Sequence, residues 1–129
     1  MLHSGGCHCG NIGVRLHLSR SPEQMPLRSC SCGFCRSHGT RTVSDRGGSV
    51  EITAADWSLM ERYRFGLRTA DYLVCRRCGV YVGAVCETSS GLRAVVNVNC
   101  LDDRAAFTQP LRLPTTTAKP PRTGSTDAR

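Results

Sequence analysis

The stretch Cys7-His8-Cys9-Gly10-Asn11-Ile12-Gly13-Val14-Arg15-Leu16-His17-Leu18 carries the pattern that decides the fold. Ile12, Val14, Leu16 and Leu18 alternate with Gly13, Arg15 and His17, the period of a strand with one buried face. Just ahead of it, Cys7 and Cys9 stand two apart, and on a strand both thiols would point to the same side. Thiols feeding a short strand recur downstream. Cys75-Arg76-Arg77-Cys78-Gly79 leads into an apolar run over residues 80–87. Residues 92–99 return across Thr88-Ser89-Ser90-Gly91 as the second arm of a hairpin.

The rest of the chain is built from equally short pieces. Residues 41–44 and 49–53 read as strands on either side of the turn Asp45-Arg46-Gly47-Gly48. Tyr63 and Phe65 mark a strand ending at Gly66, and residues 72–75 lead into the Cys75–Gly79 knuckle. Thr53 is placed to cap a short helical turn over residues 54–60, and residues 101–107 read as a short closing helix. The expected fold class is therefore mainly β, with little helix. At 129 residues, with only 5% aromatic content, the chain suits one thin-cored domain that needs staples. From Gln109 onward the prolines 110, 114, 120 and 121 and three consecutive threonines leave no packable face. The predicted organisation is a domain over residues 1–108 and a disordered Pro/Thr-rich basic tail over residues 109–129.

Nine cysteines are the obvious staples. The first residues, Met1-Leu2-His3-Ser4-Gly5-Gly6, form neither a basic n-region nor an apolar h-region, and no run approaches the length of a membrane span. A cytoplasmic location follows as an expectation, and there thiols stay reduced. An odd count also does not suit closed disulfides, so metal is expected instead. The formal charge of +7 invites a nucleic-acid reading, which shrinks on inspection. The tail supplies +3, leaving +4 for residues 1–108. Four thiolates on one zinc make a −2 centre and three make −1, so with both the domain falls to about +1. Arg28, Arg36, Arg76 and Arg77 are accounted for by balancing thiolate charge.

Seven cysteines fall into three groups: Cys7-x-Cys9, Cys30-x-Cys32-x-x-Cys35 and Cys75-x-x-Cys78. Such turns present two sulfurs to one tetrahedral zinc with little strain, and Gly10, Gly33 and Gly79 suit tight turns. Spacing leaves two assignments open. A ribbon would join Cys32 and Cys35 to Cys75 and Cys78. The alternative joins Cys7 and Cys9 to Cys75 and Cys78, leaving Cys30, Cys32 and Cys35 as a three-thiolate site with an open position.

Gly6-Cys7-His8-Cys9-Gly10, Cys30-Ser31-Cys32-Gly33-Phe34-Cys35-Arg36 and Cys75-Arg76-Arg77-Cys78-Gly79-Val80 together resemble the glutathione-dependent formaldehyde-activating family, which includes the relatives of centromere protein V. Val96-Asn97-Val98-Asn99-Cys100-Leu101-Asp102-Asp103 is similar to its closing strand and turn. The resemblance implies tent-like antiparallel β-sheets stapled by zinc, with two zinc ions per chain. It assigns Cys7, Cys9, Cys75 and Cys78 to a structural zinc and Cys30, Cys32 and Cys35 to a catalytic one. The implied activity is that of a carbon–sulfur lyase working on a thiol–aldehyde adduct, with glutathione and formaldehyde as small-molecule partners. A non-catalytic zinc module binding protein or nucleic acid is the alternative.

Around the triplet, His38 could close the second site, though a surface loop histidine is the plainer reading. Arg28, Arg36 and Arg41 could meet the carboxylates of a glutathione-like substrate. His8 should point away from the metal. Cys86 and Cys100, within or beside apolar strands, read as small core hydrophobes, and Asp102 and Asp103 as capping residues.

Overall fold

The fold is given by a computed structural model that describes residues 1–29, 33–64, 70–89 and 91–112. Among the described residues, ten strands and one short helix make up the regular elements: β1 (Leu2–Gly6), β2 (Ile12–His17), β3 (Leu27–Arg28), α1 (Gly33–His38), β4 (Thr42–Val43), β5 (Ser49–Ala54), β6 (Met60–Tyr63), β7 (Ala70–Cys75), β8 (Tyr81–Thr88), β9 (Gly91–Asn97) and β10 (Leu111–Arg112). Single 3-10 turns fill several connections. The protein is mainly β, with little helix, as its alternating patterns require.

Two sheets share the core. One has three strands in the order β1-β2-β5; the other has seven, in the order β10-β3-β4-β9-β8-β7-β6. Every pairing is antiparallel except β10 with β3. The alternation in β2 sends Ile12, Val14 and Leu16 inward, where they are buried, and leaves Arg15 and His17 exposed. They pack on Leu73, Val82, Val96 and Val43 from the larger sheet. Burial of aliphatic side chains from both layers is what holds the sheets together, at roughly 25 cal/mol for each Å² removed from water.

The register of β7 and β8 shifts between Leu73 and Val74, leaving Val82 as the extra residue of a bulge. One consequence is that Val82 stays in the core while Tyr81 joins a group of rings with Tyr63, Tyr72 and Phe34. Phe34 lies on α1, with its ring centroid 5.6 Å from Tyr63, 4.9 Å from Tyr72 and 5.0 Å from Tyr81. The rings seat the helix against the sheet, and Cys35 beside Phe34 is buried.

Several local expectations change. Residues 2–6, without a strong alternating pattern, form β1 because β2 offers a complete antiparallel partner, Leu2 facing His17 and Gly6 facing Gly13. Asp56, rather than Thr53, caps the turn at Trp57–Leu59 by accepting from the Ser58 amide. The strand marked by Tyr63 begins earlier, at Met60; its expected end, Phe65 and Gly66, lies outside the described residues. In place of a closing helix there are 3-10 turns at Val98–Cys100 and Arg104–Ala106. Beyond the boundary expected at residue 108, β10 still pairs with β3, and the Ser29 amide donates to the Arg112 carbonyl. The remainder of the expected tail, residues 113–129, lies outside the described residues.

Candidate metal centre

Cys7 and Cys9 sit on the turn between β1 and β2, not on a strand, while Cys75 ends β7 and Cys78 follows on the turn toward β8. The two turns are built alike. The Cys7 amide donates to the Ile12 carbonyl and the Cys75 amide to the Val80 carbonyl, each reaching five residues ahead. Within each, a glycine amide returns to the first cysteine's carbonyl: Gly10 to Cys7 at 3.2 Å and Gly79 to Cys75 at 2.8 Å. Gly10 and Gly79 take φ values of +87° and +78°, a region that side chains bearing a Cβ rarely occupy. Gly33, the third glycine of the pattern, instead begins α1.

The turns face each other, and the Sγ atoms of Cys7, Cys9, Cys75 and Cys78 all lie within 4.8 Å of one another. Cys7 Sγ is 3.7 Å from Cys9 Sγ, and Cys9 Sγ is 3.6 Å from Cys75 Sγ. A tetrahedron with metal–sulfur bonds of about 2.3 Å has edges of about 3.8 Å, so the donor set fits a tetrahedral ion. Cys7 and Cys75 are buried, Cys78 is half-buried and Cys9 is exposed. The Ile12 amide donates to Cys7 Sγ at 3.2 Å and the Arg77 amide to Cys75 Sγ at 3.4 Å.

The four thiols are not electrostatically equal. Burial pushes Cys7 up to about 11. The Arg77 guanidinium, 3.4 Å from Cys9 Sγ, and the Asn11 amide pull Cys9 down to about 6. Desolvation is the largest influence on Cys78, yet hydrogen bonds from backbone amides and neighbouring thiols outweigh it and lower its value. Arg77 thus supplies the charge balance expected of the arginines here. Arg76 does not; it pairs with Glu61 at 2.7 Å.

This cluster joins Cys7 and Cys9 to Cys75 and Cys78, the pairing of the second spacing-based assignment. Of the triplet, Cys35 is buried on α1, and Cys30 and Cys32 lie outside the described residues. His38 is exposed; its Nδ1 is 3.0 Å from the Phe34 carbonyl, which can only accept, so Nδ1 carries the proton. Exposed His8 lies between two cluster cysteines.

Arg41, expected near a substrate, is taken up by the fold. It donates from Nε to Asn99 Oδ1 at 2.7 Å and from the guanidinium to the Phe107 and Arg104 carbonyls. Asn97 is the buried partner that sequence reading passed over: it donates to the Tyr81 carbonyl at 3.0 Å and accepts from the Asn99 amide. No spacing rule marks such asparagines. Asp103 holds the N-cap position of the Arg104–Ala106 turn without a side-chain capping bond; its carboxylate instead accepts from His3 Nδ1 at 2.6 Å. Cys100 packs against the core and donates to the Tyr81 carbonyl, and burial pushes it up to about 11. Cys86 is only half-buried, on the wall of an open cleft.

Fold and centre together define a small β protein that has, among the described residues, two sheets and a four-cysteine cluster able to hold a metal ion. No family model matches the chain. The crystal structure of a Rhodobacter sphaeroides protein, a structural genomics target, is similar to it, with a TM-score of 0.65 and 28% identity over 84% of this chain and 99% of that one. Among the described residues no helix is long and apolar enough to cross a membrane.

Proposed function

We propose that the chain is a zinc protein of the glutathione-dependent formaldehyde-activating type, in which the four-cysteine centre is structural and Cys30, Cys32 and Cys35 hold a second, reactive zinc. Its activity is then that of a carbon–sulfur lyase acting on thiol–aldehyde adducts, with S-(hydroxymethyl)glutathione formed from glutathione and formaldehyde in the cytoplasm. The observation that carries this reading is that Cys7, Cys9, Cys75 and Cys78 close a centre needing no thiol from the middle group. A closed set of four staples a fold, whereas three protein ligands leave a position for a substrate. The motif resemblance divides the seven cysteines in the same way.

The chemistry asked of such a site is small. The thiol sulfur bonds to the carbonyl carbon as the thiol proton passes to the oxygen, and no redox partner is involved. Zinc, when bound, supplies acidity to a thiol and polarisation to a carbonyl oxygen. The chain itself contributes position. The ring packing of Phe34 anchors α1, so Cys35 is held rather than floating, and bringing the two reactants together recovers entropy lost in a free encounter.

The test is exchange between free and hydroxymethylated glutathione, followed by exchange NMR, with metal content measured on the same sample. Wild type should bind two zinc ions per chain and accelerate exchange. Cys35→Ser should keep the fold and one zinc and lose the acceleration. A wild-type protein carrying two zinc ions that exchanges no faster than buffer would sink the formaldehyde reading.

A further inference from the structure

Away from the cysteine centre, the two sheets part to leave an open cleft of 1160 Å³, above the roughly 300–1,000 Å³ of common small-molecule sites. Its deep wall is aliphatic from both sides. Leu16, Val50 and Ile52 come from the three-stranded sheet, and Val43, Leu73 and Val85 from the seven-stranded one. Leu16, Val43 and Leu73 are buried, whereas Val50, Ile52 and Val85 stay half-covered although they pack against the core cluster. None of these six side chains offers a hydrogen bond, so whatever lies between them must be hydrocarbon there.

Five of the seven charged lining residues are exposed, which puts them at the mouth. Four arginines, Arg46, Arg62, Arg64 and Arg93, face three acids, Asp45, Asp71 and Glu87. Two of the acids are already engaged. Asp45 accepts from the Ser19 amide at 2.7 Å and the Gly47 amide at 3.0 Å. Asp71 is held by Arg64 and lies 3.9 Å from Arg62, so two guanidiniums share one carboxylate. Arg46 is exposed and joins none of the described ion pairs. The mouth therefore carries surplus positive charge above an apolar interior.

We propose that this cleft binds a free long-chain carboxylic acid, its hydrocarbon between the sheets and its carboxylate among the arginines. An apolar chain gains burial against the half-covered Val50, Ile52 and Val85, and a single anionic head answers the surplus charge without needing a polar partner inside. None of the cysteines of the metal centre lines the cleft, so the site stands whether or not the proposed activity does.

Trp57, the single tryptophan, is on the cleft lining and 55% exposed, which makes its emission a reporter. The metal-loaded full chain is titrated with dodecanoate below its aggregation limit, beside dodecanol, butyrate and anionic phospholipid vesicles. A saturable blue shift is expected with dodecanoate, weaker with dodecanol and absent with butyrate. Arg46→Glu combined with Arg62→Glu alters exposed side chains only, and should weaken dodecanoate binding by about tenfold, the scale of two exposed charge contacts, while leaving dodecanol unchanged. The proposal is overturned if dodecanoate gives no saturable response, if dodecanol binds as tightly, if the double variant binds dodecanoate like wild type, or if only vesicles respond.

Discussion

Arg77 shows how much a single side chain can do for the four-cysteine cluster. Its Nε lies 3.4 Å from Cys9 Sγ, and the same guanidinium is raised above its ordinary range by that thiol. Cys9 is drawn down to about 6 while Cys7 is pushed up to about 11. Metal ligands bind deprotonated, so the Arg77 contact favours the form of Cys9 that a metal needs. Arg77→Ala removes both the charge and the hydrogen bond. We expect zinc affinity to fall by about tenfold, measured by competition with a chromophoric chelator, with Arg77→Lys recovering part of the loss. Unchanged affinity in Arg77→Ala would mean that the centre does not depend on this contact. The sequence displayed the arginine between Cys75 and Cys78, but Arg76 and Arg77 are equivalent on paper. Only the backbone turn decides that one reaches Cys9 while its neighbour reaches Glu61.

At the scale of elements, the turn before β5 is tied to the end of β2 by one carboxylate. Asp45 accepts from the Ser19 amide and hydroxyl and from the Gly47 amide. The Ser19 amide is foremost in holding its pKa below the usual 3.8, with the Ser19 hydroxyl and the Gly47 amide adding to it against desolvation. A depressed carboxylate contributes stability that is present above the unfolded value and is lost as pH falls through the folded one. Asp45→Asn should therefore cost about 1 kcal/mol at neutral pH, the worth of a hydrogen bond to a charged group in a partly solvated turn. In urea melts repeated from pH 7 to pH 2, the gap between wild type and variant should close below about pH 4. A gap that persists at pH 2 would assign the effect to shape rather than charge. The turn itself was legible, since Asp-Arg-Gly-Gly between two alternating runs has few other readings. Its anchoring to Ser19, 26 residues earlier, was not, because nothing local specifies a partner so far away.

Taken whole, the molecule departs from its sequence pattern at its two ends. β1 and β10 are both edge strands, added to partners that were plain in the sequence or lay beside them. Residues 2–6 gain a full ladder on β2, and Leu111–Arg112 gain two positions on β3 together with a hydrogen bond from Gln109 to the Glu23 carbonyl. A chain ending at Thr108 should be less stable than one ending at Arg112 by about 1 kcal/mol, a few net hydrogen bonds offset by ordering entropy. Thermal melts of the two truncations at equal metal loading check this; identical midpoints would show that β10 adds nothing to the fold.

What the sequence by itself determined is the mainly β class, the strands with clean period-two alternation and the two cysteine pairs, Cys7 with Cys9 and Cys75 with Cys78, that are spaced to share an ion. These depend on contacts between near neighbours, where the identity of a residue and its spacing carry the physics. The tertiary structure alone decided that the Cys7 pair meets the Cys75 pair across 66 residues or more, that Arg41 is consumed by the Asn99 region, and that the sheets stay apart at one end. Each is a matter of how two sheets pack, and spacing along a chain contains no term for that. The opening stretch from Cys7 to Leu18 shows both sides: its strand was readable at once, while the partner of its thiols was settled only when β7 came to lie within reach.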